Sequence, residues 1–465
     1  MIRLPDHPSL EKLRKLAKRL ARQVHDGEPR ALALVAELHP RPPAEFRLAD
    51  AHLVTARLYG FASWPRLVEH LETVERYSRS PHTVPEAADP ADEFLRRACL
   101  TYGADVPGRL ESARSVAFEP TVHTMAATGS HDELRELLAH EPGLAVAQGG
   151  PFGWEPLLYL CYARVDAGRH VDAARLLLEH GADPDTGFLW EGLPSPFTAL
   201  TGALGGGEGD QPPHPAAFEL ARLLLAHGAD PNDAQTLYNN GLGGSWSDRT
   251  DILGLLLAHG LGRGDGGAWK RRLGHALASP EQLMREELAT AALRGGPRRT
   301  RLLLEHGAQP DGIAAHPAFE GRTPLELALL HGHHEVAEIL REAGAHASLS
   351  AMEEFVAACM RGDDPHDPEL TARVRATHPG LINLAAGHRK VAAVRLLVRL
   401  GFDVDQLERA TPLHEAAWND DVEMARTLIE LGADPSIEDR EHGSTPLGWA
   451  QYGGKSRVLA YLESL

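Results

Sequence analysis

The sequence ARLLLEHGADPD, residues 174–185, decides the fold because near copies of it return along the chain. Residues 221–232 read ARLLLAHGADPN, and residues 300–311 read TRLLLEHGAQPD. Weaker copies end in four further glycines: Gly260, Gly344, Gly401 and Gly432. A phrase that returns every few tens of residues predicts a stack of helical repeats, because one small helical unit is being restated.

The composition is typical of a folded chain without a membrane span. Apolar residues make up 43% of the sequence, and no stretch approaches the roughly 18 consecutive apolar residues of a spanning helix. The first residues lack the pattern of a signal peptide. The cysteines, Cys99, Cys161 and Cys359, are far apart and odd in number, which argues against a disulfide framework and fits a reducing compartment. We therefore expect a cytoplasmic protein.

The charge of the chain bears on its partners. The formal net charge is −18 at pH 7. So acidic a chain repels a phosphate backbone unless its basic residues are concentrated on one face. We therefore predict no nucleic-acid partner and, with no spanning helix, no membrane partner.

Each repeat begins and ends with residues whose chemistry suits a helix terminus. Thr323-Pro324-Leu325 is one of several Thr-Pro-Leu turns, in which Thr caps the helix and Pro occupies its first position without wasting a hydrogen bond. The closing glycine, such as Gly181, suits the left-handed conformation that ends the second helix. A His precedes several of these glycines, as His180 does, and we expect it to donate to the last carbonyls of its helix.

These motifs resemble the ankyrin repeat, whose pattern is a TPLH turn, two helices and a closing GAD-P/V-N. The resemblance covers roughly residues 90–465 and is strong in about six units. It implies an all-α solenoid with β-hairpin-like fingers, inner helices that line a concave groove, and binding of other proteins. It also implies that His414, in Thr-Pro-Leu-His, hydrogen-bonds between neighbouring units. The helical start followed by repeats is similar to a class of bacterial ankyrin proteins, for which no activity is implied.

The chain is predicted to have three parts. Residues 1–78 form an N-terminal helical module outside the repeat pattern, and residues 79–150 form a linker with degenerate repeats. Residues 151–465 form the repeat array, with insertions near 202–214 and 260–280 where the repeat period lengthens. We expect the 57-residue return from Gly344 to Gly401 to hold two units.

Two motifs that suggest a ligand are better explained by the repeat. Gly453-Gly454-Lys455-Ser456 resembles the end of a phosphate-binding loop, but position 449 is Trp where that motif needs Gly. His331, His333 and His334 lie where an ankyrin unit joins its helices, and no Cys accompanies them as a zinc ligand. We therefore predict no metal site and no cofactor.

Aromatic and amide residues depart from the repeat consensus over three successive units. We predict that they bind a partner, because aromatic anchors dominate protein interfaces. The alternative is that they fill space under the longer loops. The predicted partner-binding residues are Trp154, Tyr159, Tyr162, Trp190, Phe197, Tyr238, Asn239, Asn240 and Trp246. Trp418 and Trp449 make a smaller second cluster on adjacent inner helices.

The predicted function is a non-catalytic scaffold that binds a protein partner through its concave groove and finger loops. No serine or cysteine nucleophile lies near a plausible base in the sequence, which makes an enzyme the less favoured choice. One alternative is an enzyme or small-molecule receptor with a pocket around residues 154–246 and the insertions as lids. Another is an adaptor whose basic helix, residues 10–25, docks an acidic partner. The identity of the partner and the oligomeric state are not predicted.

Overall fold

The computed structural model consists of short antiparallel helices joined by tight turns and extended loops. It describes residues 4–5, 8–103, 108–165, 168–243 and 246–465. Within these residues the chain divides into two units. The first comprises Met1–Trp246 and Asp251–Leu283, and the second comprises Ser247–Thr250 and Met284–Leu465. The predicted division into an N-terminal module, a linker and an array follows the sequence pattern and stays a prediction.

The helices of the first unit begin with the N-terminal module, α1 to α4, and continue through pairs of shorter helices. Their bounds are α1 (Leu10–His25), α2 (Pro29–Leu38), α3 (Leu48–Leu58), α4 (Trp64–Tyr77), α5 (Pro90–Ala98), α6 (Arg109–Ala113), α7 (Val122–Thr128), α8 (His131–His140), α9 (Pro156–Tyr162), α10 (His170–Glu179), α11 (Ala199–Leu204), α12 (Ala217–Ala226), α13 (Ala234–Asn239), α14 (Asp251–Ala258) and α15 (Gly267–Leu273). Short 3-10 turns occur at Pro81–Thr83, Pro142–Val146 and Gly274–Ala276.

The second unit begins within α16 and continues as regular helix pairs. The bounds are α16 (Pro280–Arg294), α17 (Pro297–Glu305), α18 (Pro324–Leu330), α19 (His334–Glu342), α20 (Ala351–Arg361), α21 (Pro368–Thr377), α22 (Leu381–Gly387), α23 (Val391–Arg399), α24 (Pro412–Trp418), α25 (Val422–Glu430), α26 (Pro446–Tyr452) and α27 (Ser456–Leu462). A 3-10 turn covers Pro317–Phe319. The helices α20 to α23 make two pairs between Gly344 and Gly401, which confirms the two units predicted there.

The core of each unit is built by leucines that recur with the repeat. Four residues before each closing glycine stands a leucine with at most 1% of its surface exposed, and it packs on the equivalent side of its helix in each repeat. In the first unit these are Leu177, Leu224 and Leu256, and in the second they are Leu303, Leu340, Leu397 and Leu428. Removal of such a side chain from a packed core costs about 2–5 kcal/mol. The recurring phrase is therefore first of all a packing motif.

The helix termini confirm the predicted capping. Thr323 Oγ1 accepts from the Glu326 N–H, and the Glu326 carboxylate accepts in turn from the Thr323 N–H. Gly181 has a φ of 92°, a conformation that a side chain would disfavour. His180 Nδ1 donates to the Leu176 carbonyl at 2.9 Å, and the equivalent His227, His259 and His306 do the same in their helices. The histidines before the glycines therefore serve the ends of their helices.

Successive repeats are also joined by hydrogen bonds along the loops. In the first unit Asp185 Oδ1 accepts from the Asp230 N–H at 2.8 Å. In the second unit Asp405 Oδ1 accepts from the Asp434 N–H at 2.9 Å. His414 Nε2 donates to the Ser444 carbonyl at 2.9 Å, which confirms its predicted role between neighbouring units.

A small sheet marks the departure of the first unit from a regular repeat. Strands β2 (Gly187–Trp190) and β3 (Pro196–Thr198) form an antiparallel hairpin, as expected of a finger. Strand β1 (Ser78–Arg79), just after the N-terminal module, adds to β2 in parallel. The sequence did not predict this strand, because residues 79–90 read only as a linker. Its pairing ties the module to the first finger.

The repeat character of the fold is confirmed: the described residues are mostly helical, and the strands among them are short. Within the described residues, no helix has both the length and the apolar character needed to cross a membrane. The second insertion, near 260–280, contains α15 and a 3-10 turn, so it has secondary structure of its own.

We expect one complete repeat to be dispensable for folding. Deletion of residues 411–444 removes α24 and α25 and joins Ala410 to Thr445, so that one Thr-Pro helix start replaces another. Because repeats contact mainly their neighbours, the shortened chain should retain helical circular dichroism and show a lower free energy of unfolding. Complete loss of the helical signal would contradict this account of the array.

Candidate functional site

The residues predicted to bind a partner fall into a buried set and a half-buried set. The buried side chains are Trp154, Tyr159, Tyr162, Phe197 and Asn239, with Trp154 exposing only 2% of its surface and the two tyrosines none. Tyr159 and Tyr162 lie on α9, and Trp154 lies just before that helix. Asn239 lies on α13, and Phe197 lies on the first finger. A side chain without exposed surface cannot contact a partner, so in this conformation the buried set serves the core.

Trp154 is the centre of this aromatic core. Its ring lies 5.0 Å from that of Tyr162 and 4.9 Å from that of Phe188 on the finger hairpin, measured between ring centroids. The Tyr159 hydroxyl donates to the Gly149 carbonyl at 2.9 Å and accepts from the Phe152 N–H at 3.0 Å. Packed aromatic pairs of this kind stabilise a core by about 0.5–1.5 kcal/mol beyond the burial of their area.

The amide and phenol on α13 hold the first insertion in place. Asn239 Nδ2 donates to the Gly205 carbonyl at 3.2 Å, and the Gly207 N–H donates to the Asn239 carbonyl at 3.0 Å. The Tyr238 hydroxyl donates to Glu208 Oε1 at 2.8 Å. These residues therefore order a glycine-rich loop that has no helix of its own.

The half-buried set consists of Trp190, Tyr238, Asn240 and Trp246. Trp190 stacks on His82 at 4.5 Å and donates through Nε1 to the Thr101 carbonyl at 2.9 Å, so part of the ring has a structural role. Asn240 Nδ2 donates to the Thr236 carbonyl at 2.9 Å. Each of these side chains keeps exposed surface, and partner binding stays a prediction for them.

A second surface, on the inner helices α24 and α26, is more exposed. Trp418 is 46% exposed and Tyr452 is 89% exposed. Each is the last residue of its helix, and the two helices pack side by side. We call Trp418, Tyr452 and Lys455 the α24–α26 surface. Two large, exposed aromatic side chains on adjacent inner helices are typical of a recognition site.

Cations and a buried tryptophan support this surface. Lys455 Nζ lies 5.2 Å from the centre of the Trp418 ring. Trp449 is buried behind it, 5.9 Å from Trp418 and perpendicular to it, and donates through Nε1 to Asp439 Oδ2 at 2.9 Å. The Arg409 guanidinium covers the Trp449 ring at 5.0 Å. Trp418 therefore rests on a rigid base, which lowers the entropy cost of binding.

Sequence reasoning identified Trp418 and Trp449 but missed Tyr452. The signal was present, because Trp418 and Tyr452 both stand seven residues after the capping threonine of their repeats, Thr411 and Thr445. An aromatic residue at the same position of two adjacent repeats predicts a continuous aromatic surface. The three arginines of a cavity described below, Arg76, Arg79 and Arg272, were also missed, since they are far apart in sequence.

Histidines that follow α18 and α22 in the second unit form a half-buried cluster. The His388 ring lies 4.8 Å from that of His331 and 5.0 Å from that of His333. His333 Nε2 donates to the Leu293 carbonyl at 3.1 Å, and its Nδ1 lies 3.3 Å from Lys390 Nζ. Burial lowers the pKa of His333 to about 3 and that of His388 to about 2, and the neighbouring Lys390 acts in the same direction. Burial also lowers the pKa of His331.

The cluster does not have the arrangement of a metal centre. Among the described residues, no group of three or more His, Cys, Asp or Glu side chains is placed to hold a metal ion. His331 Nδ1 and His333 Nε2 each face a backbone carbonyl. The ring nitrogens are used to join repeats.

The histidine cluster predicts an acid-sensitive second unit. Because the folded pKa values of His333 and His388 lie below 6.5, the ordinary value for histidine, the unfolded chain binds more protons below pH 6.5. Their contribution to stability is complete above about pH 6.5 and falls by about 1 kcal/mol per histidine per pH unit on acidification. Urea unfolding between about pH 5 and 7 measures this slope.

The matched variants separate the cluster from other acid-sensitive groups. Replacement of both residues, His333→Gln with His388→Gln, should flatten the pH dependence, and replacement of the exposed His442 by Gln should leave it unchanged. Equal slopes in the wild type and the double variant would refute the assignment.

The difference in burial between Trp154 and Trp418 can be tested by measuring stability. Trp154→Ala should lower the free energy of unfolding by about 3–5 kcal/mol, since the ring is enclosed by other aromatics. Trp418→Ala should lower it by about 1 kcal/mol or less, because nearly half of that ring already faces solvent. Thermal and chemical unfolding of the two variants test the assignment, and a similar large loss for both would contradict it.

Comparison with known proteins agrees with this architecture. The family model described as ankyrin repeats in three copies matches residues 353–439 and 382–463, and the single ankyrin repeat matches residues 320–352. The human protein named Ankyrin repeat and SOCS box protein 16 is 27% identical over 231 residues, which cover 39% of this chain and 51% of that protein. The chain thus spans about half the length of the curated relative it matches.

The family matches together cover residues 320–463 of the second unit, which include the α24–α26 surface. Repeats of this kind indicate a scaffold for interactions between proteins. The leading helical module and the irregular first unit lie outside the family matches. Residues 320–463 of this chain therefore match ankyrin repeats in sequence, and their helix pairs have the corresponding arrangement.

Proposed function

We propose that this chain is a non-catalytic scaffold that binds a protein partner through its inner helices and finger loops, with the α24–α26 surface as the main contact. The observation that carries the proposal is the exposure of Trp418 and Tyr452, at 46% and 89%, on adjacent inner helices. Aromatic residues at the centre of an interface supply a large share of its binding free energy.

The surroundings of these rings support a contact with a partner that is acidic at its rim. Lys455 lies over Trp418, and Arg409 covers Trp449 at the base of the neighbouring finger. The Arg409 side chain is 59% exposed, and its nearest carboxylate is that of Glu441 at 3.5 Å. Rim charges of this kind steer association more than they add affinity. We propose a complementary surface with apolar groups for the two rings and carboxylates for the cations.

The half-buried residues of the first unit are proposed as a secondary contact. Trp190 lies on the finger hairpin, and Tyr238 lies beside the first insertion, where each keeps part of its surface exposed. Fingers present variable side chains on a rigid scaffold, which suits partner recognition. Their contribution should be smaller than that of the α24–α26 surface, since their rings are already engaged by His82 and Glu208.

The proposal is tested by comparative capture and by a direct affinity measurement. The full chain is immobilised and exposed to an extract of the organism that encodes it, beside the double variant Trp418→Ala with Tyr452→Ala. A protein retained by the wild type and lost from the double variant is then purified, and its Kd is measured for both. We expect the double variant to weaken binding at least tenfold, or about 1.4 kcal/mol.

The control is Phe218→Ala, which removes another exposed aromatic ring, on the outer helix α12. It should leave the Kd unchanged. A partner that is retained by the double variant and lost with Phe218→Ala would place the interface on the outer helices and refute the proposal. Circular dichroism of each variant verifies that the fold is intact.

A further inference from the structure

A polar cavity of about 160 Å³ lies in the first unit, where the departures from the repeat meet. Its walls come from the end of α4 with β1, from the start of α9, from the finger strand β2 and from α15 of the second insertion. Regular repeats do not produce such an enclosure, because their helices pack only on equivalent helices. The cavity therefore exists because the N-terminal module and the insertion are present.

The two added segments are locked together beside the cavity. The Tyr77 ring at the end of α4 contacts the Trp269 ring of α15 edge to face, with 5.0 Å between centroids. Trp269 and Leu273 are buried with Leu189 of β2, and Val74 packs against them. Trp269 Nε1 also donates to the Asp185 carbonyl at 2.8 Å. The walls are thus held by packing and hydrogen bonds independently of any ligand.

One side of the cavity is strongly cationic, although the chain as a whole is acidic. Arg76, Arg79 and Arg272 all line it. The Arg272 guanidinium lies 5.2 Å from the centre of the Tyr77 ring and 4.9 Å from that of Trp269, which fixes its position. It is 3.8 Å from Asp183, which is about half exposed. Within the described residues, Arg76 and Arg79 form no ion pair, and Arg79 Nη1 donates to the carbonyls of Arg76 and Ser78 at 2.9 and 2.8 Å. Three guanidinium groups thus line the cavity with two carboxylates, those of Asp183 and Glu155, which leaves one positive charge in excess.

The lining also includes Trp154 and Glu155, each with a buried polar atom that lacks a partner. Trp154 is 2% exposed, and its Nε1 has no acceptor among the described residues. Glu155 Oε2 is buried and has no donor among the described residues, although Thr186 hydrogen-bonds to the same carboxyl group. Burial raises the pKa of the Glu155 carboxyl. Unpaired buried polar atoms are rare in native structures, and at the wall of a cavity they are groups that a ligand could satisfy.

The size and the charges of the cavity together limit the ligand. An engineered cavity of about 150 Å³ holds benzene, so this one holds a molecule of about six to eight heavy atoms. Guanidinium groups pair with carboxylate and phosphate oxygens through their parallel N–H donors. The Glu155 carboxylate accepts hydrogen bonds from an ammonium group, whereas Asp183, the other carboxylate of the lining, already lies 3.8 Å from Arg272. A molecule with both groups would satisfy the arginines and Glu155 at once.

We propose that this cavity binds a small zwitterion, an amino carboxylate or an amino phosphate, with its oxyanion at the three arginines and its ammonium group at Glu155. Bound there, the ligand contacts α4, β2 and α15 and adds to the stability of segments that already pack on one another. The inference goes beyond the proposed binding of a protein partner and does not depend on it.

Calorimetric titration of the full chain with defined probes tests the site. β-Alanine and phosphoethanolamine carry both groups, propionate and inorganic phosphate carry only the anion, and ethylamine carries only the ammonium group. We expect a Kd near about 1 mM for the better zwitterion and at least tenfold weaker binding of the single-group probes. Comparison of the Kd values of β-alanine and phosphoethanolamine shows whether the natural oxyanion is a carboxylate or a phosphate.

Variants assign the binding to the named residues. Arg79→Gln should weaken the binding of both zwitterions at least tenfold. If that variant folds poorly, Arg76→Gln at the exposed Arg76 gives the same test. Glu155→Gln should reduce the affinity for β-alanine to that for propionate, because only the ammonium contact is lost. Glu155 makes no capping hydrogen bond to α9, so this substitution leaves the helix start intact. Arg66→Gln, on the same helix α4 but outside the cavity, is the control and should have no effect.

Three results would overturn the proposal. Absence of saturable heat for every probe up to about 50 mM would exclude a site of useful affinity. Equal binding of propionate and β-alanine, unchanged by Glu155→Gln, would exclude the ammonium contact. Binding of ethylamine as tight as that of β-alanine would exclude the oxyanion contact. None of these results involves a protein partner, so each leaves the scaffold function to its own test.

Discussion

Most helices of the repeats have only six to eleven residues. A pair of such helices cannot bury its own apolar face, and the rest of this structure depends on that constraint. Each pair must be covered by the pairs before and after it. The leucines four residues before the closing glycines, such as Leu177 and Leu397, have no exposed surface because a neighbouring repeat covers them. The capping residues then keep the helices short enough for the stack to remain regular.

The same constraint explains where irregularity is allowed. An insertion between repeats is tolerated as long as the leucine core remains covered, because loop length adds little to the free energy of folding. The first insertion is held by Asn239 and Tyr238, and the second forms α15 and contacts the end of α4. Polar groups that these additions bury must be satisfied: Arg164, 7% exposed, donates to the carbonyls of Cys161, Ala163, Gly202 and Pro212. Hydrogen bonds to four backbone carbonyls therefore offset the burial of this arginine in the irregular part.

Both proposed sites lie outside the packed core that the stacking of repeats requires. On the α24–α26 surface the core is already closed by Trp449 and Ala450, so Trp418 and Tyr452 are free to face solvent. In the first unit the additions leave a cavity whose arginines and carboxylate are not needed by the leucine core. The two sites differ in kind, since one is an open aromatic surface suited to a protein and the other is an enclosed polar space suited to a small molecule. Ligand binding near the first finger and partner binding at the α24–α26 surface can be measured independently.

The sequence by itself determined the repeat fold, the helix starts and ends, the roles of His180 and His414, and the two hidden repeats between Gly344 and Gly401. These features are local, because a cap or a closing glycine acts within a few residues of its own position. Only the tertiary structure decided which aromatic rings are covered. Trp154 precedes an inner helix and Trp418 ends one, and neither local sequence shows which ring is covered. Phe188 of a later finger covers Trp154, whereas Trp418 keeps 46% of its surface exposed. The sequence did not predict the cavity either, because its arginines come from segments nearly two hundred residues apart. Their proximity depends on tertiary packing, which no local sequence pattern shows.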